Sequence, residues 1–440
     1  MADETELGAV VMAAGLGTRM RSDVPKHLHP LLGLRMVDWV HATARELEAE
    51  PLVVVAAPST AGAFAGVEVA IQEHPLGTGD AIRSARHTLE GRARDVLVLS
   101  GDTPLLTTAL LRDLLDTHRR TGAWATVLTF EPDDPKAYGR VVRNGDGSLA
   151  AIVEAEDATP EQLAVREVNS SIYVFRAERL WPVLERLRPQ NAQGELYLTD
   201  SVALLVEEGG SVAVHKGGDP MEAEGVNTRA ELADVAAALR DRVNREHMLA
   251  GVTIVDPATT WIDAEVTIEP DAVIHPFTVV RGASRIAAGA EVGPHAVVVD
   301  AVVGTDALVG PFCYLRPGTV LEAGVKAGTF VEIKNSRIGE RTKVPHLSYL
   351  GDTDVGADSN VAAGNISVNQ DHRTRQKQRT VIGSNVRTGV DNAFVAPVTI
   401  GDDAWIAAGS VITEDVPAGS LAIARARQVN KEGRGGKRND

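Results

Sequence analysis

The feature that most constrains this chain of 440 residues is a six-residue repeat of aliphatic side chains in its second half. Neither a helix nor an ordinary strand has this period, because their side-chain periods are about 3.6 and 2 residues. It is typical of a hexapeptide parallel β-helix, in which each short strand turns one aliphatic residue inward and stacked coils bury a continuous ladder. The repeat slips by one residue once and passes through an irregular stretch, and its positions are Ile262, Ile268, Ile274, Val280, Ile286, Val292, Val298, Val303, Val309, Leu315, Leu321, Ile400, Ile406 and Ile412.

The first half of the chain alternates short apolar runs with helical patterns. This alternation predicts an α/β fold with a mostly parallel sheet, whose site lies at the carboxyl ends of the strands. The apolar runs are Ala9–Ala13, Leu52–Ala56, Val96–Ser100 and Ala125–Phe130, and the clearest helical patterns are Val37–Leu47 and Asp80–Leu89.

A long helix is predicted between the two halves. Thr228 and Glu231 form a T-x-x-E capping box, and Leu232, Val235, Leu239 and Val243 follow at helical spacing. The end of the chain is rich in glycine and charge, which is typical of disorder. We therefore expect an α/β domain, a linker helix, a β-helix and a disordered tail at residues 1–227, 228–250, 251–430 and 431–440.

Composition and charge exclude several classes of function. A net charge of −16 repels nucleic acid and anionic membrane surfaces, so we expect neither as a partner. We find no signal-peptide pattern and no run near the ~18 apolar residues that a membrane span needs. The single cysteine, Cys313, cannot form an internal disulfide, which fits a reducing compartment. We expect a cytoplasmic protein that handles anionic small molecules through local basic residues.

Two loops in the first half carry candidate phosphate chemistry. After the first strand, Gly15 and Gly17 let backbone N–H groups approach an anion, and Arg19 and Lys26 would neutralise a triphosphate. The loop matches neither Walker A nor G-x-G-x-x-G, so alone it also fits a plain glycine turn. Asp102 follows a buried strand, where it would either hold Mg²⁺ beside phosphates or cap the next turn.

Several segments together, in this order, resemble one family over nearly the whole chain: AAGLGTRMRSDVPK, QEHPLGTGDA, SGDTPLL, AYGRVV, IVEAEDAT, VNSSIY, NAQGELYLTD and EGVNTR. The family is the bifunctional N-acetylglucosamine-1-phosphate uridyltransferase / glucosamine-1-phosphate N-acetyltransferase, which makes UDP-N-acetylglucosamine for bacterial cell-wall precursors. The resemblance implies a Rossmann-like nucleotidyltransferase domain, a left-handed parallel β-helix, Mg²⁺ as cofactor and a homotrimer. It implies UTP, N-acetylglucosamine-1-phosphate, glucosamine-1-phosphate and acetyl-CoA as substrates.

The resemblance also implies roles for residues of the first half. Arg19 and Lys26 would be catalytic, and Asp102 and Asn227 would bind the metal. The residues implied to contact UTP or UDP-N-acetylglucosamine are Ala13, Ala14, Gly15, Lys26, Gln72, Gly77, Thr78, Gly139, Glu154, Asn169, Thr199 and Asn227. Taken alone, Gly139 and Thr199 fit plain structural roles better than sugar binding. Glu156 stands where the family usually has a basic residue, and Ser171 replaces a glycine.

In the β-helix the resemblance implies that His346 is the general base of acetyl transfer. Arg316, Lys334, Tyr349 and Asn360 would bind glucosamine-1-phosphate, and Asn369, Lys377, Ala408 and Arg425 would bind acetyl-CoA. The acetyl-CoA side departs from the family pattern: Gln370 replaces an aromatic residue, Val390 replaces a serine, and about two residues are inserted before Lys377.

These departures leave other functions open. The chain would be a uridyltransferase whose β-helix is only a trimerisation scaffold, if the altered acetyl-CoA side is inactive. It would be a catalytically silent nucleotide-sugar sensor only if Lys26, Asp102, Asn227 and His346 had lost their roles. A nucleotidyltransferase for another sugar phosphate, such as glucose-1-phosphate, is a further alternative.

Overall fold

The computed structural model describes residues 5–15, 17–432 and 434. The chain divides into two compact units, Met1–Leu239 and Arg240–Asp440, and the division falls within the helix Arg229–Leu249. Most of the predicted disordered tail, 431–440, lies outside the described residues. No described helix is long and apolar enough to cross a membrane.

The first unit is built on a sheet of nine described strands, and all four predicted apolar runs lie in strands of it. One strand, Val168–Arg176, runs antiparallel between two parallel neighbours, so its first residues lie at the carboxyl ends of those neighbours. A hairpin of Arg140–Arg143 and Leu149–Val153 joins the sheet through this strand. The order across the sheet is Val212–Lys216, Ala125–Phe130, Val168–Arg176, Ala93–Ser100, Thr5–Ala13, Leu52–Ala56 and Glu68–Ile71.

Helices cover both faces of this sheet, which explains why its central strands are continuously apolar. In the first strand, Val10 and Met12 pack into one core, and Ala9 and Val11 pack into the other. The helix predicted as Asp80–Leu89 is instead two helices that break at Ala85. The helices are Met36–Glu46, Thr78–Ser84, Arg86–Leu89, Thr108–Thr121, Pro160–Leu163, Ala177–Leu184, Asp200–Glu207, Pro220–Ala223 and Arg229–Leu249, with short 3-10 turns at Thr18–Met20, Lys26–Leu28, Ala61–Ala63 and Pro257–Thr259.

The second unit is the predicted hexapeptide β-helix. Each coil contributes one short strand to each of three parallel sheets, and paired residues are 17 or 18 positions apart, as in Tyr314–Glu332 and Glu332–Tyr349. Every member of the predicted aliphatic ladder is buried, with at most 9% of its surface exposed.

The ladder also continues through the stretch that the sequence pattern makes irregular. Ala327, Ile333, Ile338, Val344 and Leu350 are all buried there. The six-residue pattern is irregular in this stretch for two reasons. Some inward positions follow one another after five residues rather than six, and others are polar, as at Ser367 and Thr388. One coil is also longer, because Ile366 pairs with Ala393, 27 positions on.

The strand bounds of the β-helix follow the three sheets. The first sheet contains Thr253–Ile254, Val273–Ile274, Glu291–Val292, Leu308–Val309, Lys326–Thr329 and Lys343–His346, and a bridge through Asn360 leads to Arg387–Thr388, Trp405–Ile406 and Leu421–Ala422. The second contains Trp261–Ile262, Val279–Arg281, Val297–Val299, Tyr314–Leu315, Glu332–Lys334, Tyr349–Gly351, Ile366–Val368, Ala393–Val395 and Val411–Ile412. The third contains Thr267–Ile268, Arg285–Ile286, Val302–Val303, Val320–Leu321, Arg337–Ile338, Thr353–Val355, Thr380–Ile382 and Val398–Ile400.

Candidate functional site

The loop after the first strand brings two cations to the carboxyl edge of the sheet. Arg19 lies in the short helix Thr18–Met20, and Lys26 begins the next one. Gly17 has φ 63°, and a Cβ on it would collide with the side chain of Lys26. Glycine is therefore required at this position for the chain to turn while Lys26 points into the site.

Lys26, Asp102 and Asn227 meet at this edge although they are far apart in the sequence. The ammonium group of Lys26 forms an ion pair with Asp102 Oδ2 and donates a hydrogen bond to Asn227 Oδ1 at 3.1 Å. Arg19 Nη2 donates to the same Asn227 oxygen at 2.9 Å. The second carboxylate oxygen of Asp102 accepts a hydrogen bond from Ser100 Oγ at 2.5 Å. Two cations thus converge on two oxygen ligands.

The start of the long helix holds Asn227 in place. The Glu231 carboxylate accepts hydrogen bonds from the backbone N–H of Asn227 at 2.8 Å and of Thr228 at 2.9 Å. Thr228 Oγ1 accepts from the N–H of Glu231 at 3.2 Å, so the predicted capping box is confirmed. The backbone N–H of Val226 donates to Asp102 O at 2.9 Å. This bond ties the segment before the helix to the turn that carries Asp102.

Charge in this site is fixed by its burial and its neighbours. Burial raises the pKa of Asp102, but the lowering effects of its neighbours, chiefly the ammonium of Lys26, together outweigh burial, and the pKa falls to about 2. Burial lowers the pKa of His27 to about 4, so its ring is neutral near pH 7. Asp102 therefore remains a carboxylate at every pH at which the protein would work.

The residues of the site fit a Mg²⁺ ion. A carboxylate from Asp102 and an amide oxygen from Asn227 are the hard donors that this ion prefers. Both oxygens point towards one centre, because the single ammonium group of Lys26 contacts both. Among the described residues, no group of three or more His, Cys, Asp or Glu side chains could hold a metal ion. The remaining ligands would be substrate phosphates and water, as is usual for Mg²⁺.

Three of the residues predicted to contact UTP or UDP-N-acetylglucosamine, namely Gln72, Gly77 and Thr78, line one cavity together with Lys26 and Asp102. Gln72 is buried and its Nε2 donates to Gly77 O at 3.1 Å and to Asp80 Oδ2 at 3.0 Å. Gly77 has φ 112°, and a Cβ on it would lie 2.5 Å from Leu196 O. The cavity has a volume of about 600 Å³, and the predicted residues that line it are Ala14, Gly15, Arg19, Lys26, Gln72, Gly77, Thr78, Asp102 and Asn227.

Four further residues predicted to contact UDP-N-acetylglucosamine, namely Gly139, Glu154, Asn169 and Thr199, form one cluster. Thr199 Oγ1 donates to Glu154 Oε1 at 3.0 Å, and a Cβ on Gly139 would lie 3.3 Å from Glu154 Oε2. Asn169 N donates to Gly139 O at 2.9 Å, and its side-chain amide donates to Tyr173 Oη at 2.7 Å. These four residues lie outside the lining of the large cavity, and Ala13 does too.

Three predicted sugar-phosphate ligands of the β-helix lie on consecutive coils of the second sheet. Leu315 pairs with Ile333, and Lys334 pairs with Gly351, so Arg316, Lys334 and Gly351 stack along one line. The guanidinium of Arg316 is paired with Glu332 at 2.7 Å. Tyr349 opens the third of these strands.

His346 ends the adjacent strand of the first sheet, one corner before Tyr349. Asn360 bridges to Lys343 on the strand that His346 ends. Leu347, at φ 47°, lies in the corner that turns the chain from His346 to Tyr349, and Lys334 pairs with Gly351, two residues beyond Tyr349. The structure thus places the candidate base and the candidate phosphate ligands on neighbouring coils of the β-helix.

The predicted acetyl-CoA ligands fall into two separate pairs. Asn369 and Lys377 lie on opposite arms of one hairpin, where Gln370 and Lys377 pair. Ala408 and Arg425 lie on later coils. They are close to each other, because a Cβ added to Gly409, next to Ala408, would lie 3.9 Å from the Arg425 side chain. Among the described residues, no hydrogen bond or ion pair joins the two pairs.

Sequence comparison finds relatives that span both halves of the chain. The family of MobA-like NTP transferase domains matches residues 9–201. The bifunctional protein GlmU of Streptomyces avermitilis is 48% identical over 449 residues, which cover 96% of this chain and 93% of that protein. The protein of the same name from Mycobacterium tuberculosis is 47% identical over 456 residues, which cover 97% and 92%. The chain belongs to the bifunctional GlmU family.

Membership of the GlmU family establishes the class of the chain. It is a bifunctional transferase, with a nucleotidyltransferase domain in its first half and an acetyltransferase β-helix in its second half. The predicted fold class and the predicted pair of activities, uridylyl transfer and acetyl transfer, are confirmed.

Residues outside the predicted set also shape the two sites. His27 lines the large cavity, and its Nδ1 has no hydrogen-bond partner among the described atoms. Tyr138 Oη accepts a hydrogen bond from Gly225 N at 3.0 Å and supports the segment before Asn227. A Cβ on Gly351 would collide with Tyr349 Oη, so this glycine makes room for the tyrosine. Of these residues, only Gly351 gives a hint of its role in the sequence alone.

Ser171 occupies a strained position that the structure explains. It has φ 62°, in a bulge of the antiparallel strand, and it lines the cavity. A residue other than glycine loses about 1–2 kcal/mol in this conformation. We therefore expect Ser171→Gly to increase the free energy of unfolding by about 1 kcal/mol. Urea-induced unfolding would measure this gain.

The neighbouring serine provides a control with the opposite sign. Ser170 is buried, and its hydroxyl donates to Leu128 O at 2.7 Å. Ser170→Gly should destabilise the protein by about 1–2 kcal/mol, because Leu128 O loses a buried partner. A Ser171→Gly variant that is no more stable than the wild type would show that this bulge holds no strain.

Proposed function

We propose that the chain makes UDP-N-acetylglucosamine in the cytoplasm, as a Mg²⁺-dependent homotrimer. The β-helix acetylates glucosamine-1-phosphate with acetyl-CoA, and the first domain then transfers uridylyl from UTP to the product. The observation that carries the first activity is the convergence of Lys26, Asp102 and Asn227 at one edge of the sheet. The single, buried Cys313 supports a reducing compartment.

The uridylyl-transfer step requires alignment and charge compensation rather than covalent catalysis. A phosphate oxygen of N-acetylglucosamine-1-phosphate forms a bond to the α-phosphorus of UTP, and the bond from that phosphorus to the bridging oxygen breaks, which releases pyrophosphate. Lys26 and Arg19 bind the triphosphate and stabilise the negative charge that develops. Mg²⁺, bound by Asp102 and Asn227, would supply charge screening between the two anionic substrates.

The buried polar cluster around Glu154 would bind the sugar hydroxyl groups. Burial raises the pKa of Glu154, and the nearby carboxylates of Asp200, Asp157 and Glu156 raise it further, while the Thr199 hydroxyl lowers it. The Glu154 carboxyl already accepts a hydrogen bond from the Thr199 hydroxyl, and it can accept one from a sugar hydroxyl group in the same way. This arrangement suits an uncharged N-acetyl sugar ring.

In acetyl transfer, His346 takes a proton from the amine of glucosamine-1-phosphate. The amine nitrogen then forms a bond to the thioester carbonyl carbon, the C–S bond breaks, and the thiolate of coenzyme A leaves with a proton to follow. Arg316 and Lys334, stacked on neighbouring coils, would bind the sugar phosphate. The exposed position of His346 at the end of its strand leaves its ring available to a substrate.

Two assays test this function. Pyrophosphate release should be fastest with UTP and N-acetylglucosamine-1-phosphate within a panel of nucleotides and sugar phosphates. A preference for glucose-1-phosphate would replace the assigned sugar. Thiol release from acetyl-CoA should require glucosamine-1-phosphate. If thiol release by the wild type does not exceed that of the His346→Ala variant, the β-helix is a scaffold. The departures on the acetyl-CoA side, Gln370, Val390 and the inserted residues, would then explain the missing activity.

The homotrimer is supported by an apolar corner of the β-helix. Phe277, His295, Phe312 and Phe330 stack there, with ring centroids 4.7, 4.8 and 5.3 Å apart. The three phenylalanines are about half exposed, and Leu347 continues the row at 60% exposure beside His346. We call this row the aromatic ladder. A solvent-facing row of this kind marks an interface between subunits.

We expect Phe312→Glu/Phe330→Glu to convert the trimer into monomers, because two carboxylates on each copy would be buried without partners. Light scattering would measure the mass in solution. Val302→Glu, an exposed apolar position on the third sheet, is the control and should leave the mass unchanged. A double variant that remains trimeric would place the interface elsewhere.

A further inference from the structure

A basic hairpin leaves the β-helix at its longest coil. Gln378 N donates to Asn369 O at 2.9 Å, Asp371 N donates to Gln376 O at 3.1 Å, and Gln370 pairs with Lys377 between them. Four of the seven residues from Arg373 to Arg379 are Arg or Lys, in a chain of net charge −16. We call residues 369–379 the basic hairpin. Such a local excess of positive charge attracts anions.

The arginines at the tip of the basic hairpin form no ion pair with the described residues, unlike the cation at its base. Arg379, at its base, is paired with Asp354 at 3.1 Å, and Lys377 donates to Gln370 Oε1 at 3.2 Å. Arg373 and Arg375 are exposed and form no ion pair with any residue that the structure describes.

The one carboxylate of the hairpin serves its own backbone. Asp371 Oδ1 accepts hydrogen bonds from the N–H groups of Arg373 at 2.8 Å and Thr374 at 3.3 Å. These bonds shape the turn at the tip and occupy one of the two carboxylate oxygens. The carboxylate forms no ion pair with Arg373 or Arg375 among the described residues, so both guanidinium groups face solvent.

The root of the basic hairpin touches the candidate acetyl-transfer site. Asn369 Nδ2 lies 3.5 Å from Tyr349 Oη and donates to Asp352 Oδ2 at 2.6 Å. Tyr349 follows His346 across one corner of the β-helix. A ligand with its reactive group at His346 and an anionic group at the far end of a long arm would reach the tip. Acetyl-CoA has this construction, because its pantetheine arm separates the thioester from the diphosphate and the 3′-phosphate.

We propose that Arg373 and Arg375 bind the phosphate groups of acetyl-CoA, an inference that rests on the proposed acetyl transfer. Guanidinium groups suit this task, because each presents paired N–H donors to two phosphate oxygens. The inserted residues thus add phosphate contacts on the side of the site where Gln370 replaces an aromatic residue. The contacts are exposed to solvent, so their strength falls as ionic strength rises.

Calorimetric titration with coenzyme A tests the proposal on the full chain. Arg373→Ser/Arg375→Ser should raise the Kd for coenzyme A about fivefold at low ionic strength, since exposed charge pairs contribute modestly. The difference should shrink in high salt and should be absent with S-acetylpantetheine, which lacks all of the phosphates. The control is Arg285→Ser. Arg285 is an exposed arginine of the third sheet, five strands away from Thr380–Ile382, the strand that follows the hairpin, and its replacement should leave the Kd unchanged.

An equal Kd for wild type and double variant would overturn the proposal. A difference that persists with S-acetylpantetheine would also overturn it, because the arginines would then act on the arm or on the fold. Thiol release by the wild type is read separately. If the wild type binds coenzyme A through these arginines but releases no thiol, only the proposed acetyl transfer is contradicted. Failure of the arginine proposal and failure of the proposed acetyl transfer therefore give different results.

Discussion

Replacing Lys26 by alanine should lower kcat for uridylyl transfer by about two to three powers of ten, because one preorganised cation at the developing charge is lost. Asp102→Ala should have an effect at least as large, since it removes an oxygen ligand of the metal. Both losses should appear in pyrophosphate release at saturating UTP. Thiol release by the β-helix should stay within twofold of the wild type.

The Lys26 variant should also be less stable. Removal of the lysine side chain leaves the buried carboxylate of Asp102 without its main partner. Such a loss typically lowers the free energy of unfolding by about 3–5 kcal/mol. Lys216→Ala is the matched control, because that lysine pairs with Glu131 at 2.8 Å with half of its side chain exposed, and such pairs contribute at most about 1 kcal/mol. Near-normal pyrophosphate release by folded Lys26→Ala would remove this residue from the mechanism.

Replacing His346 by alanine should abolish acetyl transfer and spare uridylyl transfer. A positioned general base contributes about 10²–10⁴ to the rate, so thiol release should fall by that factor. The fold should survive, because His346 is exposed at the end of its strand. Circular dichroism and pyrophosphate release would both report an intact protein.

A second histidine of the β-helix provides the control for this prediction. His275 is partly exposed and pairs with Glu291 at 3.4 Å, far along the first sheet from His346. His275→Ala should leave thiol release unchanged. Equal activity of the His346→Ala variant and the wild type would show that another group takes the proton from the amine.

The β-helix was predictable from the sequence because each coil repeats the same burial requirement. One inward aliphatic residue every six positions identifies the fold without any knowledge of long-range contacts. The six-residue pattern is lost in the middle coils because a corner can lose one residue, as between Ile333 and Ile338, while the next strand still turns inward. A polar inward residue such as Ser367 hides the pattern again. Its hydroxyl contacts the backbone of the preceding coil, which no local pattern shows.

The candidate sites were predictable only where the signal is local. Gly17 and Lys26 lie in one loop, so the sequence alone indicates a phosphate site there. The contact between Lys26 and Asn227 joins residues 201 positions apart and needs the fold to bring it about. The strained backbone of Ser171 was hidden because the antiparallel course of its strand depends on the whole sheet. Long-range topology therefore decides what local sequence leaves open.

A crystal structure with UTP and Mg²⁺ tests the central claim most directly. We expect the ion about 2.0–2.1 Å from one oxygen each of Asp102 and Asn227, with the ammonium of Lys26 moved from these oxygens to a phosphate. The α-phosphorus should face the cluster of Glu154 and Thr199. An ion bound elsewhere, with the Lys26–Asp102 ion pair unbroken beside bound UTP, would contradict this account.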